Sequence, residues 1–306
     1  MRQGYRRPPT PAAVERALRQ EAGFGCARCG HPYIEYHHII PYSVDPHFRP
    51  EDMVALCGNC HSALAKLGTD IQYKIKREPY NIKTGTVNGA LCYDKRDLEF
   101  VVGGNQFINV SHILKFHNIP IISCRIEDSQ ARVSINIFDK YGNRQLSVDD
   151  NNIVFRVHDF WDFEYRHNLA IARYGAGDIA IKMDFRKPEA TIEAHLWLGG
   201  RPLYVGKEKL IYSGSEIGGN TTLGGFVGIQ LRNPAVSPKN YVKETTKRLA
   251  DALVVQENAS KRVMGLFDCL FARVNTRKNG VHSAVLWDDT EYSAVGGRRS
   301  AFPRRV

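Results

Sequence analysis

Two closely spaced pairs of cysteines constrain the fold of this chain more than any other feature of its sequence. Cys26 and Cys29 form one Cys-x2-Cys pair, and Cys57 and Cys60 form a second. In a reducing compartment such pairs are typical of zinc ligands rather than disulfides. Four thiolates complete a tetrahedral zinc site and leave no open position, so the sequence predicts a structural zinc ion. The ion would stabilise a module too small to fold on a hydrophobic core alone.

Three histidines accompany these cysteines, and imidazole can either bind a divalent metal or act as a general base near neutral pH. His37 and His38 lie between the two pairs, and His61 directly follows the last cysteine. Over roughly residues 10–68, the order and spacing resemble the HNH family of endonucleases, through the motifs Cys26-x2-Cys29, His37-His38-Ile39-Ile40-Pro41 and Leu56-Cys57-Gly58-Asn59-Cys60-His61.

The resemblance implies a ββα-metal fold and a role for each histidine. His38 would be the general base, and His37 and His61 would hold Mg²⁺ or another divalent cation against the scissile phosphate. Asp52 lies five positions before Cys57, where the family usually has Asn. An aspartate can accept the same hydrogen bond from the Nδ1–H group of the base, so Asp52 is expected to orient His38. The implied activity is metal-dependent hydrolysis of phosphodiester bonds in DNA, with double-stranded DNA as the expected substrate.

Strand geometry bears on these roles, because neighbouring residues of a strand point to opposite faces. His37 and His38 therefore cannot both face the metal ion in regular β geometry, which fits separate roles or a local bulge. A second interpretation is a non-catalytic, zinc-dependent DNA-binding regulator whose β domain is a sensor. It explains the four cysteines but not the three histidines. His31 and His47 lie off the pattern and are interpreted as loop histidines.

The charge balance favours a polyanionic partner. The chain has 42 Lys and Arg against 32 Asp and Glu, a formal net charge of +10. Nucleic acid is the commonest such partner and an anionic membrane surface the second. Because no run of about eighteen apolar residues occurs, no membrane span is expected. The N-terminus has no apolar segment of the secretory type, so a cytoplasmic location is expected.

Between about residues 90 and 231, short alternating segments are separated by Gly, Asn and Asp turn signals, as in a sandwich or barrel. The sequence predicts an antiparallel β domain with strands at Leu98–Val102, Ile119–Ile126, Val133–Phe138, Ile153–Val157, Ile179–Phe185, Thr191–Leu198 and Leu210–Tyr212. The segment Phe160–Tyr165 is interpreted as a strand with its aromatic face in the core. The segment Gly218–Gly225 is interpreted as a turn-rich connection. Cys92, Cys124 and Cys269 are interpreted as small buried hydrophobic residues.

Helical periodicity flanks this β region on both sides. A short helix is expected over Pro11–Glu21, a strand over Tyr33–Ile40 and a helix over Cys60–Leu67, followed by a linker or strand over residues 69–88. After Pro238 the apolar spacing becomes helical, and the resulting helices could join copies of the chain into a homo-oligomer. The last residues carry Arg298, Arg299, Arg304 and Arg305 and are expected to form a basic tail.

The expected fold class is therefore α+β, with an N-terminal ββα-metal module, a central antiparallel β domain and C-terminal helices. The expected domains are a nuclease module with its zinc site at 1–80, a β-rich domain for target recognition or regulation at 81–235, and a helical appendage with the basic tail at 236–306. Restriction, phage defence, homing and toxin-like killing are all compatible with this organisation.

Overall fold

Strands predominate over helices in the computed structural model, which describes residues 8–233 except 65, 92, 94, 95 and 97. Of the described residues, 49% lie in strands and 17% in helices, and the strands form a large curled sheet. The expected α+β class is therefore wrong, and the described chain is mostly β. The expectation relied on helical periodicity within residues 236–306, which lie outside the described residues. It also missed strands, including Asn105–Phe116 and Leu169–Gly175.

The N-terminal elements include two short strands followed by a helix, as the resemblance implied. The helices are α1 (Ala12–Glu21), α2 (Gly58–Leu64), α3 (Thr69–Arg77) and α4 (Tyr80–Thr84), and the strands are β1 (Glu35–His38) and β2 (Met53–Leu56). Strands β1 and β2 pair in antiparallel fashion, with His37 opposite Val54 and His38 opposite Met53. The linker or strand expected over residues 69–88 is wrong for most of this range, because α3 and α4 occupy it and the next strand begins only at Thr86.

Local sequence explains where α1 and the turn after it end. Gly23 has a φ of +65°, a conformation that glycine adopts without steric cost, and it ends the helix. The following turn is held tightly: a Cβ atom on Gly25 would clash with the carbonyl group of Gly30. Asn81 of α4 donates hydrogen bonds to the carbonyl oxygens of Gly23 at 2.9 Å and Gly30 at 3.2 Å. The cysteine-bearing turn is therefore anchored on α4.

Fifteen further strands form the large sheet. They are β3 (Thr86–Ala90), β4 (Glu99–Val102), β5 (Asn105–Phe116), β6 (Ile119–Glu127), β7 (Gln130–Phe138), β8 (Arg144–Asp149), β9 (Asn152–Arg156), β10 (Asp162–Arg166), β11 (Leu169–Gly175), β12 (Asp178–Asp184), β13 (Ala190–Leu198), β14 (Arg201–Val205), β15 (Leu210–Tyr212), β16 (Ser215–Ile217) and β17 (Thr221–Leu231). The main path runs β10-β11-β12-β13-β4-β5-β6-β7-β8-β9-β3. Strand β14 pairs with β13 and continues into β15 and β16, and β17 pairs with β5.

The sequence had predicted an antiparallel sheet, but the large sheet also contains parallel pairs of strands. Strand β13 pairs with β4 in parallel, and β17 pairs with β5 in parallel over its whole length. The segment Gly218–Gly225 was expected to be a connection, but β17 begins within it, at Thr221. Parallel pairing joins segments that are distant in sequence, so local turn signals cannot predict it.

Two hydrophobic clusters hold the described chain together. The larger lies within the sheet and contains Phe163 and Tyr165, as expected for the aromatic strand β10, together with Cys124. The smaller lies among the N-terminal elements and includes Leu56, Leu64 and three of the four paired cysteines. No helix among the described residues has the length and apolar character needed to cross a membrane.

Candidate metal centre and histidine site

The four paired cysteines come together at one point. Their sulfur atoms all lie within 4.8 Å of one another, and the Sγ atom of Cys29 lies 3.7 Å from those of both Cys57 and Cys60. In a tetrahedral site with Zn–S bonds of about 2.3 Å, neighbouring sulfurs are separated by about 3.8 Å. The arrangement therefore fits a zinc ion, and the cysteines are positioned to bind a metal.

Backbone hydrogen bonds shape the first cysteine pair into a turn. The N–H group of Cys26 donates to the carbonyl oxygen of His31 at 2.8 Å, and that of Gly30 donates to the carbonyl oxygen of Cys26 at 2.8 Å. Burial raises the pKa of the Cys29 thiol to about 11, and burial also raises the pKa of Cys60. Thiols with raised pKa values lose their protons when a cation balances the thiolate charge, which is what zinc supplies.

His37 and His61 form a second, open cluster. Their ring centroids are 4.7 Å apart, and the Nδ1 atom of His61 lies 2.8 Å from a carboxylate oxygen of Glu35. An ionised carboxylate can only accept, so His61 donates from Nδ1 and keeps the lone pair on Nε2. Among the described residues, only the four cysteines form a closed group of three or more ligand atoms. The histidine pair is not part of such a group.

The ring of His37 is held in a similar way by Gln72 of α3. Its Nε2 atom lies 2.9 Å from the side-chain oxygen of Gln72, whose amide nitrogen donates to the carbonyl oxygen of Leu67 at 2.9 Å. Because the Leu67 carbonyl can only accept, the amide oxygen of Gln72 faces His37 and accepts from Nε2. The lone pair of His37 is therefore on Nδ1. Burial lowers the pKa of His37, the Gln72 hydrogen bond opposes this shift, and nearby His61 lowers the pKa further, so the neutral form is favoured.

His38 points to the opposite face of β1 and is buried, with 6% of its surface exposed. Its Nε2 atom lies 2.8 Å from the backbone carbonyl oxygen of His47, and its ring packs against Tyr42 and Phe48. The carbonyl oxygen can only accept, so Nε2 carries the proton and Nδ1 has the lone pair in the neutral ring. The loop between β1 and β2 thus fixes the tautomer of His38.

Asp52 makes its hydrogen bonds elsewhere. One carboxylate oxygen accepts from the hydroxyl group of Tyr73 at 2.7 Å, and the other accepts from the Nε–H group of Arg49 at 2.8 Å. The Tyr73 and Arg49 hydrogen bonds hold the pKa of Asp52 below its ordinary value. Arg49 also pairs with Asp45 at 2.6 Å. Asp52 therefore ties α3 to the loop that carries His47, while its expected contact with His38 stays a prediction.

Sequence reasoning missed several of these partners. Glu35 could have been found, because it lies two residues before His37 and so shares its strand face. The carbonyl group of His47 carries no side-chain signal, and His47 had been interpreted only as a loop histidine. Gln72 and Tyr73 lie on α3, a helix that was not predicted. His31 does lie in a loop, where its side chain is exposed.

Comparison with known proteins agrees with this geometry over a limited part of the chain. Residues 26–66 match the family model described as HNH endonuclease. The match covers 41 of the 306 residues, so it characterises this segment and not the large sheet. No curated protein and no solved structure matches the chain. The match and the four clustered cysteines together identify residues 26–66 as an HNH endonuclease domain with a place for a metal ion, a domain of nuclease or DNA-binding type.

Proposed function

We propose that this chain is a metal-dependent HNH endonuclease that hydrolyses phosphodiester bonds in double-stranded DNA. The observation that carries the proposal is common to the three motif histidines. Each has one ring nitrogen engaged by a protein acceptor, namely Gln72 for His37, the His47 carbonyl group for His38 and Glu35 for His61. Such contacts fix the tautomer of each ring and so determine which ring nitrogen can bind a metal ion or accept a proton.

His37 and His61 would hold the catalytic cation, Mg²⁺ or another divalent ion. The carboxylate of Glu35 behind His61 matches the carboxylate–histidine–metal arrangement of many metal sites. A cation bound there would supply a Lewis acid beside the scissile phosphate. The two imidazoles orient it, and their half-exposed position leaves room for the DNA backbone.

His38 is proposed as the general base, with Nδ1 as the atom that accepts a proton from water. Donation from Nε2 to the His47 carbonyl group stabilises the positive charge that the ring then acquires. Asp52 is proposed to support the base indirectly, because its contact with Arg49 holds the loop that carries His47.

The remaining parts of the proposal concern the cellular setting. A net charge of +10 favours binding of the DNA backbone. A site of four reduced cysteines suits a reducing compartment, so we place the protein in the cytoplasm. The proposed division is a nuclease module over residues 1–80 and a β-rich target-recognition or regulatory domain over residues 81–235. Restriction or phage defence is a role that suits such a pairing.

Cleavage of supercoiled plasmid in the presence of Mg²⁺ or Mn²⁺ tests the proposal. We expect His38→Ala to lower the rate by about 10²–10⁴-fold, the range for loss of a general base. His38→Gln keeps a donor for the His47 carbonyl group but offers no nitrogen lone pair, so it should be similarly inactive. It takes the place of His38→Ala if that variant folds poorly. His31→Ala is the matched control, since His31 is exposed and off the motif, and it should cut normally.

A second candidate function is the non-catalytic, zinc-dependent DNA-binding regulator. The burial of His38 favours it, because a buried imidazole must be uncovered before it reaches water. The same plasmid assay separates the two functions. DNA that is bound in a gel shift but not cut with any divalent metal would establish the regulator and reject the nuclease.

A further inference from the structure

A buried ion pair joins α1 to the large sheet. Arg19 of α1 donates from Nε and from a terminal nitrogen to the two carboxylate oxygens of Asp162 in β10, at 2.9 and 2.8 Å. Only 6% of Arg19 and 1% of Asp162 is exposed. Burying such a pair requires desolvation of both charges, so the pair persists only with complete and well-aligned hydrogen bonding. Its geometry therefore fixes where the guanidinium group lies.

The remaining terminal nitrogen of Arg19 reaches the candidate site. It donates to the hydroxyl oxygen of Tyr36 at 2.9 Å. Tyr36 lies in β1 between Glu35 and His37, on the opposite face from both. A strand residue held on one face determines the height and tilt of its neighbours on the other. Arg19 thus connects Asp162 of the sheet to the strand that carries His37.

Other contacts prevent α1 from shifting along with Tyr36. The amide nitrogen of Gln20 donates to the carbonyl oxygen of Trp161 at 2.8 Å, and the guanidinium group of Arg16 lies 4.7 Å from the ring centroid of Trp161. Arg173 of β11 also contacts the Asp162 carboxylate, at 3.5 Å. Helix α1 and Asp162 are therefore both fixed to the sheet, and Tyr36 of β1 is held against them through Arg19.

We infer that Asp162 and Arg19 are positioning residues for the nuclease site and act through the hydroxyl group of Tyr36. The large sheet then sets how well His37 is placed beside His61. A change in the sheet at β10 or β11 would reach the histidine pair through two hydrogen-bonded contacts. This inference rests on the proposed function for its effect on cleavage, while its effect on metal binding can be measured separately.

The experiment uses the full zinc-loaded chain and three variants. Tyr36→Phe removes only the hydroxyl group and keeps the ring, Asp162→Asn removes the charge behind Arg19, and the double variant combines them. Glu193→Gln is the matched control, because Glu193 is a half-buried carboxylate of the same sheet on β13 and pairs with Lys182 rather than with Arg19 or Arg173. Mn²⁺ affinity is measured by calorimetry, kcat and KM by plasmid cleavage, and folding by thermal unfolding and zinc content.

We expect Tyr36→Phe to weaken Mn²⁺ binding and lower kcat by about tenfold, the scale found when a hydrogen bond that supports a metal ligand is removed. KM for DNA and the zinc content should not change. A general folding defect would alter both of these quantities as well. The double variant should be no worse than the poorer single variant, because both changes break one connection. Glu193→Gln should bind Mn²⁺ and cut as the parent does.

Two results would overturn the inference. One is that Tyr36→Phe has the same Mn²⁺ affinity and kcat as the parent. This result refutes the inference even if Asp162→Asn fails to fold. The other is full additivity of the two changes in the double variant. A parent chain that binds Mn²⁺ but never cuts would instead refute the proposed function. The Mn²⁺ affinities measured by calorimetry would still decide whether Asp162 and Arg19 act on the site through Tyr36. A parent that binds no Mn²⁺ would refute both.

Discussion

Loss of the metal ion from the four-cysteine site is expected to unfold residues 26–66 while the large sheet stays folded. Among the described residues, the smaller hydrophobic cluster has ten buried members, of which three are the paired cysteines Cys26, Cys57 and Cys60 and three are alanines. Few large apolar side chains remain to hold the segment without the ion. The sheet has a separate and larger cluster, so it should not depend on the ion.

The size of the effect follows from the loop that the metal ion closes. Cys29 and Cys57 are separated by 28 positions. A cross-link closing a loop of that length lowers the entropy of the unfolded chain enough to contribute about 3.6 kcal/mol at 25 °C. This value counts only the loop between Cys29 and Cys57, so the four cysteines together should contribute more. It is already a large fraction of typical domain stabilities of about 5–15 kcal/mol.

Hydrogen exchange measured by mass spectrometry, with elemental analysis for zinc, tests this expectation. Cys57→Ser, or chelation of the parent, should remove protection from peptides within residues 26–66 and leave peptides of β6 and β7 protected. Cys124→Ser is the matched control, because Cys124 is buried in the sheet and donates to the carbonyl oxygen of Val110. It should keep about one zinc ion per chain. Freshly purified parent without zinc, or equal zinc content in the two variants, would refute the reasoning.

Three further predictions concern catalysis and binding. His61→Ala should stop cleavage, with partial rescue by added Mn²⁺. Glu35→Gln should raise the Mn²⁺ concentration needed for half-maximal cleavage about tenfold. An unchanged metal requirement in Glu35→Gln would count against the carboxylate–histidine pair. Asp52→Asn should cut more slowly than the parent by less than about tenfold and Asp52→Ala by more, because only the amide can still accept from Tyr73; the reverse order of rates would contradict this. Deleting residues 296–306 should make DNA binding less salt-dependent. The slope of the logarithm of the binding constant against the logarithm of the salt concentration should fall in magnitude by about 0.9 for each phosphate that the tail neutralises. An equal slope in a binding titration would show that the tail arginines contact no phosphate.

Short-range patterns predicted the parts of the molecule that depend on local chemistry. The two Cys-x2-Cys pairs predicted a metal-binding cluster, and the sulfur positions confirm it. Period-two alternation predicted strands such as β7 and β13, where buried and half-buried residues do alternate. These signals survive in the sequence because one residue and its near neighbours suffice to produce them.

Contacts between distant segments were not predictable in the same way. Arg19 and Asp162 are 143 positions apart, and His37 and Gln72 are 35 positions apart. No spacing rule connects such pairs, and a charged residue in a strand is ordinarily taken as solvent-exposed. The segment Gly218–Gly225 is rich in glycine and was interpreted as a connection, yet from Thr221 onward parallel pairing with β5 makes it a strand. Tertiary pairing overrode the local propensity.

In the proposed nuclease, the two faces of β1 limit where a scissile phosphate can bind. His37 faces α2 and α3, whereas His38 faces the loop after β1, so a phosphate between them cannot lie on either face alone. One edge of β1 is occupied by β2, and within the described chain β1 pairs with no other strand. His38 is also the last residue of the strand. A phosphate that meets both rings must therefore approach the unpaired edge of β1 near its C-terminal end, where the chain turns toward His47. Because Tyr36 is held to the sheet through Arg19, that edge is also the part of the module whose position the large sheet controls most directly.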